Sequence, residues 1–241
     1  MNDLKCAYFV TGTDTEIGKT LIASSLLHAL SRTGVSTAGM KPIAAGAQLR
    51  DGAWHNEDAD ALAEQASIAL PQALTTPYLF RQATAPHIAA ALENRPMSLP
   101  HILECYERIA ERADAVVVEG VGGFCVPLNG STDTADMARQ LGLPVVLVVG
   151  LRLGCISHSL LTVEAIAARG LRLAGWVANT VDPGLPNSDA NVATLRARID
   201  APLLGRVPRL FPGSAPAVQE LVNAAAEYLD FSRLPEWPAA R

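Results

Sequence analysis

Six short apolar runs punctuate the chain: Cys6–Thr11, Val35–Met40, Ala115–Val118, Pro144–Gly150, Leu173–Val181 and Leu203–Pro208. Between them lie longer stretches whose apolar residues recur at helical spacing. Leu21–Leu30 is one, closed by Arg32-Thr33-Gly34, a helix C-cap signal. Leu99–Arg112 is a clear amphipathic helix with Pro100 in its first turn, where proline is tolerated. Further helices are predicted from Asp58, over Thr134–Leu141, from Gly154 to Arg169-Gly170, over Asn187–Ile199 and over Ala215–Leu229. Gln48–Glu57 reads as a polar loop, and Pro77–Phe80 with Ala85–Ile88 as a turn-rich stretch entering a short helix. Strand and helix alternate, so the pattern predicts an α/β fold: a mostly parallel sheet covered by helices on both faces. The expected organisation is one domain over residues 1–231 and a C-terminal tail over 232–241, where apolar residues are few and two prolines occur.

Composition suits this picture. The chain has 241 residues, 49% of them hydrophobic, which is enough for one large domain with a buried parallel sheet. Formal net charge is −5, so no basic field favours nucleic acid or an anionic membrane. Aromatic residues make up only 5%, which argues against a base-stacking surface. Cys6, Cys105, Cys125 and Cys155 are scattered, with no C-x-x-C pair, and fit reduced thiols in a cytoplasmic protein. No apolar run approaches membrane-spanning length.

The chemistry gathers first at Gly12-Thr13-Asp14-Thr15-Glu16-Ile17-Gly18-Lys19-Thr20. Strand, glycine-bounded loop, Lys-Thr and helix is the layout of a phosphate-binding P-loop, so the three-layer fold is of P-loop NTPase type. Glycines let the backbone curl so that N–H groups point inward, and the helix N-terminus adds partial positive charge. Nucleotide contacts are expected from Glu16, Ile17, Gly18, Lys19, Thr20 and Leu21, with Lys19 on the outer phosphates and Thr20 on Mg²⁺. The spacing departs from G-x-x-x-x-G-K-[ST], because five residues separate Gly12 from Gly18. Glu16 either faces a ribose hydroxyl or a substrate amine, or is a solvated loop residue.

Other candidates stand at strand ends, where α/β sheets bind ligands. Lys41 follows the second strand and is a second cation for a γ-phosphate, or a solvated strand-end lysine. Asp58 is either a Mg²⁺ ligand or a helix N-cap, a role Asn56 also suits. Glu119 ends an apolar strand in the manner of a Walker B acid, with Gly120-Val121-Gly122-Gly123 bringing backbone close to a ligand, or is a strand-end glutamate before a flexible loop. Asn179 either bonds an adenine edge or forms a turn. His87 has no metal-ligand partner at metalloprotease spacing and reads as structural.

Together Gly12–Thr20, Lys41-Pro-Ile-Ala-Ala-Gly, Val118-Glu-Gly-Val-Gly-Gly, Leu153-Gly-Cys-Ile-Ser-His and Trp176-Val-Ala-Asn resemble the ATP-dependent dethiobiotin synthetase family. The resemblance runs from about Tyr8 to about Leu210, and the longer P-loop is part of it. It implies that diaminopelargonate, CO₂ and MgATP give dethiobiotin, ADP and phosphate, through an N-carbamate and a carbamic–phosphoric anhydride. It implies Lys19 and Lys41 on the γ-phosphate and carbamate, and Mg²⁺ on Thr20, Asp58 and Glu119. Nucleotide contacts would extend to Gly120, Val121, Gly122, Asn179, Thr180, Pro208, Arg209 and Leu210. Thr15, Lys41, Ala45, Gly122, Gly123 and Ser157 would face the substrate, at the interface of a homodimer. Ala45 stands where the family often has Ser, Ser157 where Asn is usual and Asn191 where Tyr occurs, so the substrate-tail contacts depart from the pattern. Two alternatives compete. A partition-type switch ATPase usually carries an extra early P-loop lysine, where this chain has Thr13, Asp14 and Thr15, and often a basic membrane helix. A paralogous ligase acting on another diamine would read nearly the same.

Overall fold

The computed structural model describes residues 5–211 and 216–239. Strand β1 (Cys6–Gly12) leads through the glycine loop into α1 (Lys19–Arg32), then β2 (Thr37–Met40) and β3 (Ile43–Ala44). A hairpin of β4 (Gln48–Arg50) and β5 (Ala53–His55) precedes α2 (Glu57–Gln65), α3 (Gln72–Thr75), β6 (Tyr78–Leu79), α4 (Pro86–Leu92) and α5 (Leu99–Ala110). The second half alternates regularly: β7 (Ala115–Glu119), α6 (Thr134–Leu141), β8 (Val145–Leu151), α7 (Cys155–Ala168), β9 (Leu173–Thr180), α8 (Ser188–Arg198), β10 (Leu203–Val207) and α9 (Val218–Ala226). A short 3₁₀ turn, Phe231–Arg233, follows.

The main sheet has six strands in the order β10-β9-β8-β1-β7-β2, and every pairing is parallel. β1 is central, with Phe9 opposite Val118 of β7 on one side and Val145 of β8 on the other. From β1 the chain passes to the edge strand β2, returns to β7 beside β1 and then crosses to β8 on the other side, so the carboxyl ends of β1, β7 and β8 border the crevice where such sheets bind ligands.

Alternate residues of β1 serve opposite faces, as strand geometry requires. Cys6, Tyr8 and Val10 pack with Ile22, Leu26 and Leu30 of α1 and with Ala225 of α9. Ala7 and Phe9 pack with Ile102 and Ile109 of α5 and with Ala135 and Met137 of α6. A third cluster lies beneath α7 and α8, around the fully buried Trp176. The three-layer α/β architecture is the one the alternation predicts. Among the described residues no helix is long and apolar enough to cross a membrane.

Three segments differ from expectation. The polar stretch after Gln48 is a hairpin. Asp51 and Gly52 both have positive φ, 50° and 80°, the geometry of a tight hairpin turn for which Asp-Gly is a favoured pair. Both of its strands are largely exposed, so apolar alternation does not announce them. The last helix begins at Val218 and ends at Ala226, and the start expected at Ala215 lies outside the described residues. The expected tail is docked through its described part. Phe231 and Leu234 are buried, Trp237 stacks on Phe231 with ring centroids 6.1 Å apart, and Tyr8 Oη donates to the Pro235 carbonyl at 2.6 Å. Three apolar residues at three-residue spacing suffice to cover the lower end of β1.

Candidate functional site

The glycine loop is fixed from inside the protein. Ile17 is buried, and a Cβ at Gly12 or Gly150 would come within 2.6 or 2.5 Å of its side chain. Only the backbone of Ile17 therefore remains for a ligand. Thr13 N–H donates to the Val148 carbonyl at 3.0 Å, tying the loop to β8. Asp14 pairs with Arg152 at the end of that strand. Gly18 caps α1 at φ 89° with no side-chain cap, so the first N–H groups of the helix are left for another acceptor. Glu16 is exposed at φ 54° and lines the mouth of the site.

Lys19 is 6% exposed and its Nζ donates to the Asp14 carbonyl at 2.7 Å. Burial, reinforced by the Lys41 charge, pushes its pKa down to about 8 against the pull of Glu119, Asp58 and Asp14. Lys41, 3% exposed, lies between two acids: its Nζ is 2.6 Å from Glu119 Oε1, 2.8 Å from Asp58 Oδ2 and 3.2 Å from the Gly120 carbonyl. Burial alone would lower the Lys41 pKa, but the two carboxylates outweigh it and hold the group charged.

Asn56, not Asp58, caps α2: its Oδ1 accepts from the N–H groups of Asp58 and Ala59 at 3.1 and 3.3 Å. The Asp58 carboxylate is thus free to turn inward. Thr20 Oγ1 lies 2.6 Å from Asp58 Oδ1 and 2.9 Å from Glu119 Oε1. A hydroxyl has one proton and can donate to only one of these oxygens. Glu119 is fully buried, and its Oε2 has no hydrogen-bond partner among the described residues. Two carboxylates and a hydroxyl converge, with acceptor capacity to spare. That hard, oxygen-only donor set fits Mg²⁺.

These groups border a cavity of about 820 Å³. Asp14–Glu16, Gly18, Lys19 and Thr20 form one wall, and Val121–Gly123 with Val126 another. Ala44, Ala45 and the segment Ala83–Pro86 complete it. Lys41 and Glu119, at strand ends, are thus brought together with Thr15 of the glycine loop, Asp58 of α2, Ala45, Gly122 and Gly123 around one cavity. Gly120 contributes its carbonyl to Lys41.

A separate hollow of about 390 Å³ is lined by Thr180, Asp182, Ser188, Arg206, Pro208, Arg209 and Tyr228. Asn179 Nδ2 donates to the Ile17 carbonyl at 2.8 Å. Leu21 and Leu210 have half-buried side chains that pack against the core beside α1. Ser157 is exposed on α7 and does not line the cavity. Asn191 Nδ2 donates to the Asn187 carbonyl at 3.0 Å, within the first turn of α8.

Two contributors escape the sequence reading. Ala83–Pro86 reaches the cavity through the pairing of β6 with β3, and strands of two residues leave no periodic signal. The Asp14–Arg152 pair joins positions 138 residues apart.

A family model described as an AAA domain matches residues 6–217. The ATP-dependent dethiobiotin synthetase BioD of Janthinobacterium sp. (strain Marseille) is 60% identical over 236 residues, covering 96% of this chain and 97% of that protein. Among solved structures, the septum site-determining protein MinD complexed with Mg-ADP from Pyrococcus horikoshii OT3 is similar at 19% identity and TM-score 0.53. That match covers 96% of this chain and 87% of the MinD chain. A ParA family ATPase from Chlorobium tepidum TLS is similar at 14% identity and TM-score 0.52, covering 92% and 90% of the two chains. At such identities the likeness is one of fold. The relative's full-length match carries the family: this chain belongs to the ATP-dependent dethiobiotin synthetases, C–N bond-forming ligases of biotin synthesis.

Proposed function

We propose that the chain converts diaminopelargonate, CO₂ and ATP into dethiobiotin, ADP and phosphate. The observation that carries this reading is the convergence of Lys19, Lys41, Thr20, Asp58 and Glu119 at the edge of one cavity whose other walls are mostly alanine, valine and glycine. A triphosphate requires the charged edge, and an alkyl chain suits the rest.

One substrate amine adds to CO₂ and loses a proton, giving a carbamate. A carbamate oxygen attacks the γ-phosphorus, and ADP leaves. The second amine attacks the carbamoyl carbon of the resulting anhydride, closes the cyclic urea and expels phosphate. The nucleophiles belong to the substrate, so the protein's work is positioning and charge neutralisation. Lys19, reaching from the loop, neutralises the outer phosphates. Lys41 neutralises the carbamate and the γ-phosphoryl oxygens while the bond from carbamate oxygen to γ-phosphorus forms. Thr20, Asp58 and Glu119 would hold Mg²⁺, which supplies charge stabilisation to the β- and γ-phosphates. The N–H groups of Gly18, Lys19, Thr20 and Leu21 bind phosphate oxygens. Glu16 and Val121 flank the nucleotide. Thr180, Pro208, Arg209 and Leu210 surround the base together with Asn179. Thr15, Ala45, Gly122 and Gly123 face the diamine.

A homodimer would bring Ser157 of one subunit to the substrate of the other. Leu153 and Leu161 are exposed beside it, which supports a covered face. Four free cysteines suit the reducing cytoplasm.

The test is phosphate release from MgATP and bicarbonate, with and without diaminopelargonate, and the mass of the product. Release that depends on the diamine, with one carbonyl added, is expected. Release without the diamine, or none with it, overturns the reading.

A further inference from the structure

Asn179 stands one residue before the tip of β9 and is 7% exposed. Its Nδ2 donates to the Ile17 carbonyl across 162 positions of sequence. A carbonyl only accepts, so the amide is oriented with its NH₂ toward the loop. The contact is close: Gly18 has φ 89°, and a Cβ there would overlap Asn179 Nδ2.

This bond sets the plane of the Ile17–Gly18 peptide. In a trans peptide the carbonyl and the following N–H point in opposite directions. With the Ile17 carbonyl turned to Asn179, the Gly18 N–H turns away from it. Gly18 borders the large cavity, beside Lys19 and Thr20. The loop is thus held at both ends, by Val148 through Thr13 N–H and by Asn179 through the Ile17 carbonyl. The buried Ile17 side chain keeps the segment between them from sliding.

We propose that Asn179 is a positioning residue for the phosphate loop, orienting the Gly18 N–H toward the triphosphate independently of any contact its amide makes with the base. The inference rests on the reading that Gly12–Thr20 binds the triphosphate.

Inorganic tripolyphosphate, which has no base, separates the two roles. Its affinity and that of ATP are measured by calorimetry for the wild type and for Asn179→Val, a strand-compatible side chain with no donor. Removing the bond is expected to weaken both ligands, tripolyphosphate by about fivefold. Amide exchange over Gly12–Thr20 should rise, while that of the later turns of α1 stays as in the wild type. Melting curves screen for folding, and Asn179→Ser, whose hydroxyl stops short of the loop, replaces a valine variant that fails to fold. Unchanged tripolyphosphate affinity with weakened ATP would overturn the inference and leave Asn179 a base contact only. A wild type that binds neither ligand would overturn the phosphate-loop reading itself.

Discussion

Replacing Lys41 by methionine removes the cation held by two acids while keeping most of the side chain's volume. Lys41 and Glu119 are 3% and 0% exposed, so the change leaves Glu119 buried beside Asp58 without its directly bonded cation, and only the more distant Lys19 charge remains. Stranding one partner of a buried pair costs about 3–5 kcal/mol. A domain of this size loses about 2–4 °C of melting temperature per kcal/mol, so Lys41→Met is expected to melt about 6–20 °C lower at neutral pH. Burial already raises the Glu119 pKa, while Lys41 opposes that effect, so losing Lys41 raises it further. A carboxyl with a raised folded pKa contributes stability at low pH and loses it as pH rises through that value. The deficit should therefore shrink as the pH is lowered toward the ordinary carboxylate range. It should also shrink when Glu119→Gln is added, because the amide removes the stranded charge. The assay is thermal unfolding of wild type, both single variants and the double variant across pH. A Lys41→Met variant that melts like the wild type, or a double variant no more stable than Lys41→Met, would refute the buried-pair argument. Phosphate release in the same preparation reports the chemistry separately. Turnover is expected to vanish while much of the ATP affinity remains, and unchanged turnover would remove Lys41 from the mechanism.

Other perturbations address neighbouring parts of the site. Glu119→Gln should raise the Mg²⁺ concentration needed for half-maximal phosphate release, and an unaltered Mg²⁺ titration would show that Glu119 holds no metal. Lys19, which faces Lys41, Glu119, Asp58 and Asp14 and has a pKa near 8, must be charged to bind phosphate. The ATP dissociation constant should then rise about tenfold between pH 7 and pH 9, with proton uptake on binding visible as a buffer-dependent heat. A flat profile with no proton uptake would remove Lys19 from the phosphate site. Ending the chain at Asp230 removes the buried Phe231 and Leu234 and the acceptor of Tyr8 Oη. About 3–6 kcal/mol of stability should be lost, and an unchanged melting temperature would make the docked C-terminus dispensable.

The parts of the protein legible in its sequence are those carried by local periodicity. β1, β7, β8 and β9 are near-continuous apolar runs, with polar residues only toward their ends, because both faces are covered, and their C-terminal residues inherit a shared edge from the parallel topology. Placing Lys41 and Glu119 at strand ends was therefore enough to bring them near the phosphate loop. It did not show that Lys41 lies 2.6 Å from Glu119 Oε1, or that Asn56 takes the cap and releases Asp58. Both depend on how side chains divide a limited set of donors, and no spacing rule counts donors. Asn179 makes the same point over a longer range. Its place near the end of β9 is readable, but the bond from its amide to the Ile17 carbonyl depends on β9 and β1 being held apart by β8 alone. One strand fewer or more between them would carry Asn179 about 4.8 Å along the sheet and beyond hydrogen-bonding reach of the loop. The strand order thus selects which residue touches the phosphate loop, and that order is fixed by long-range pairing rather than by any motif.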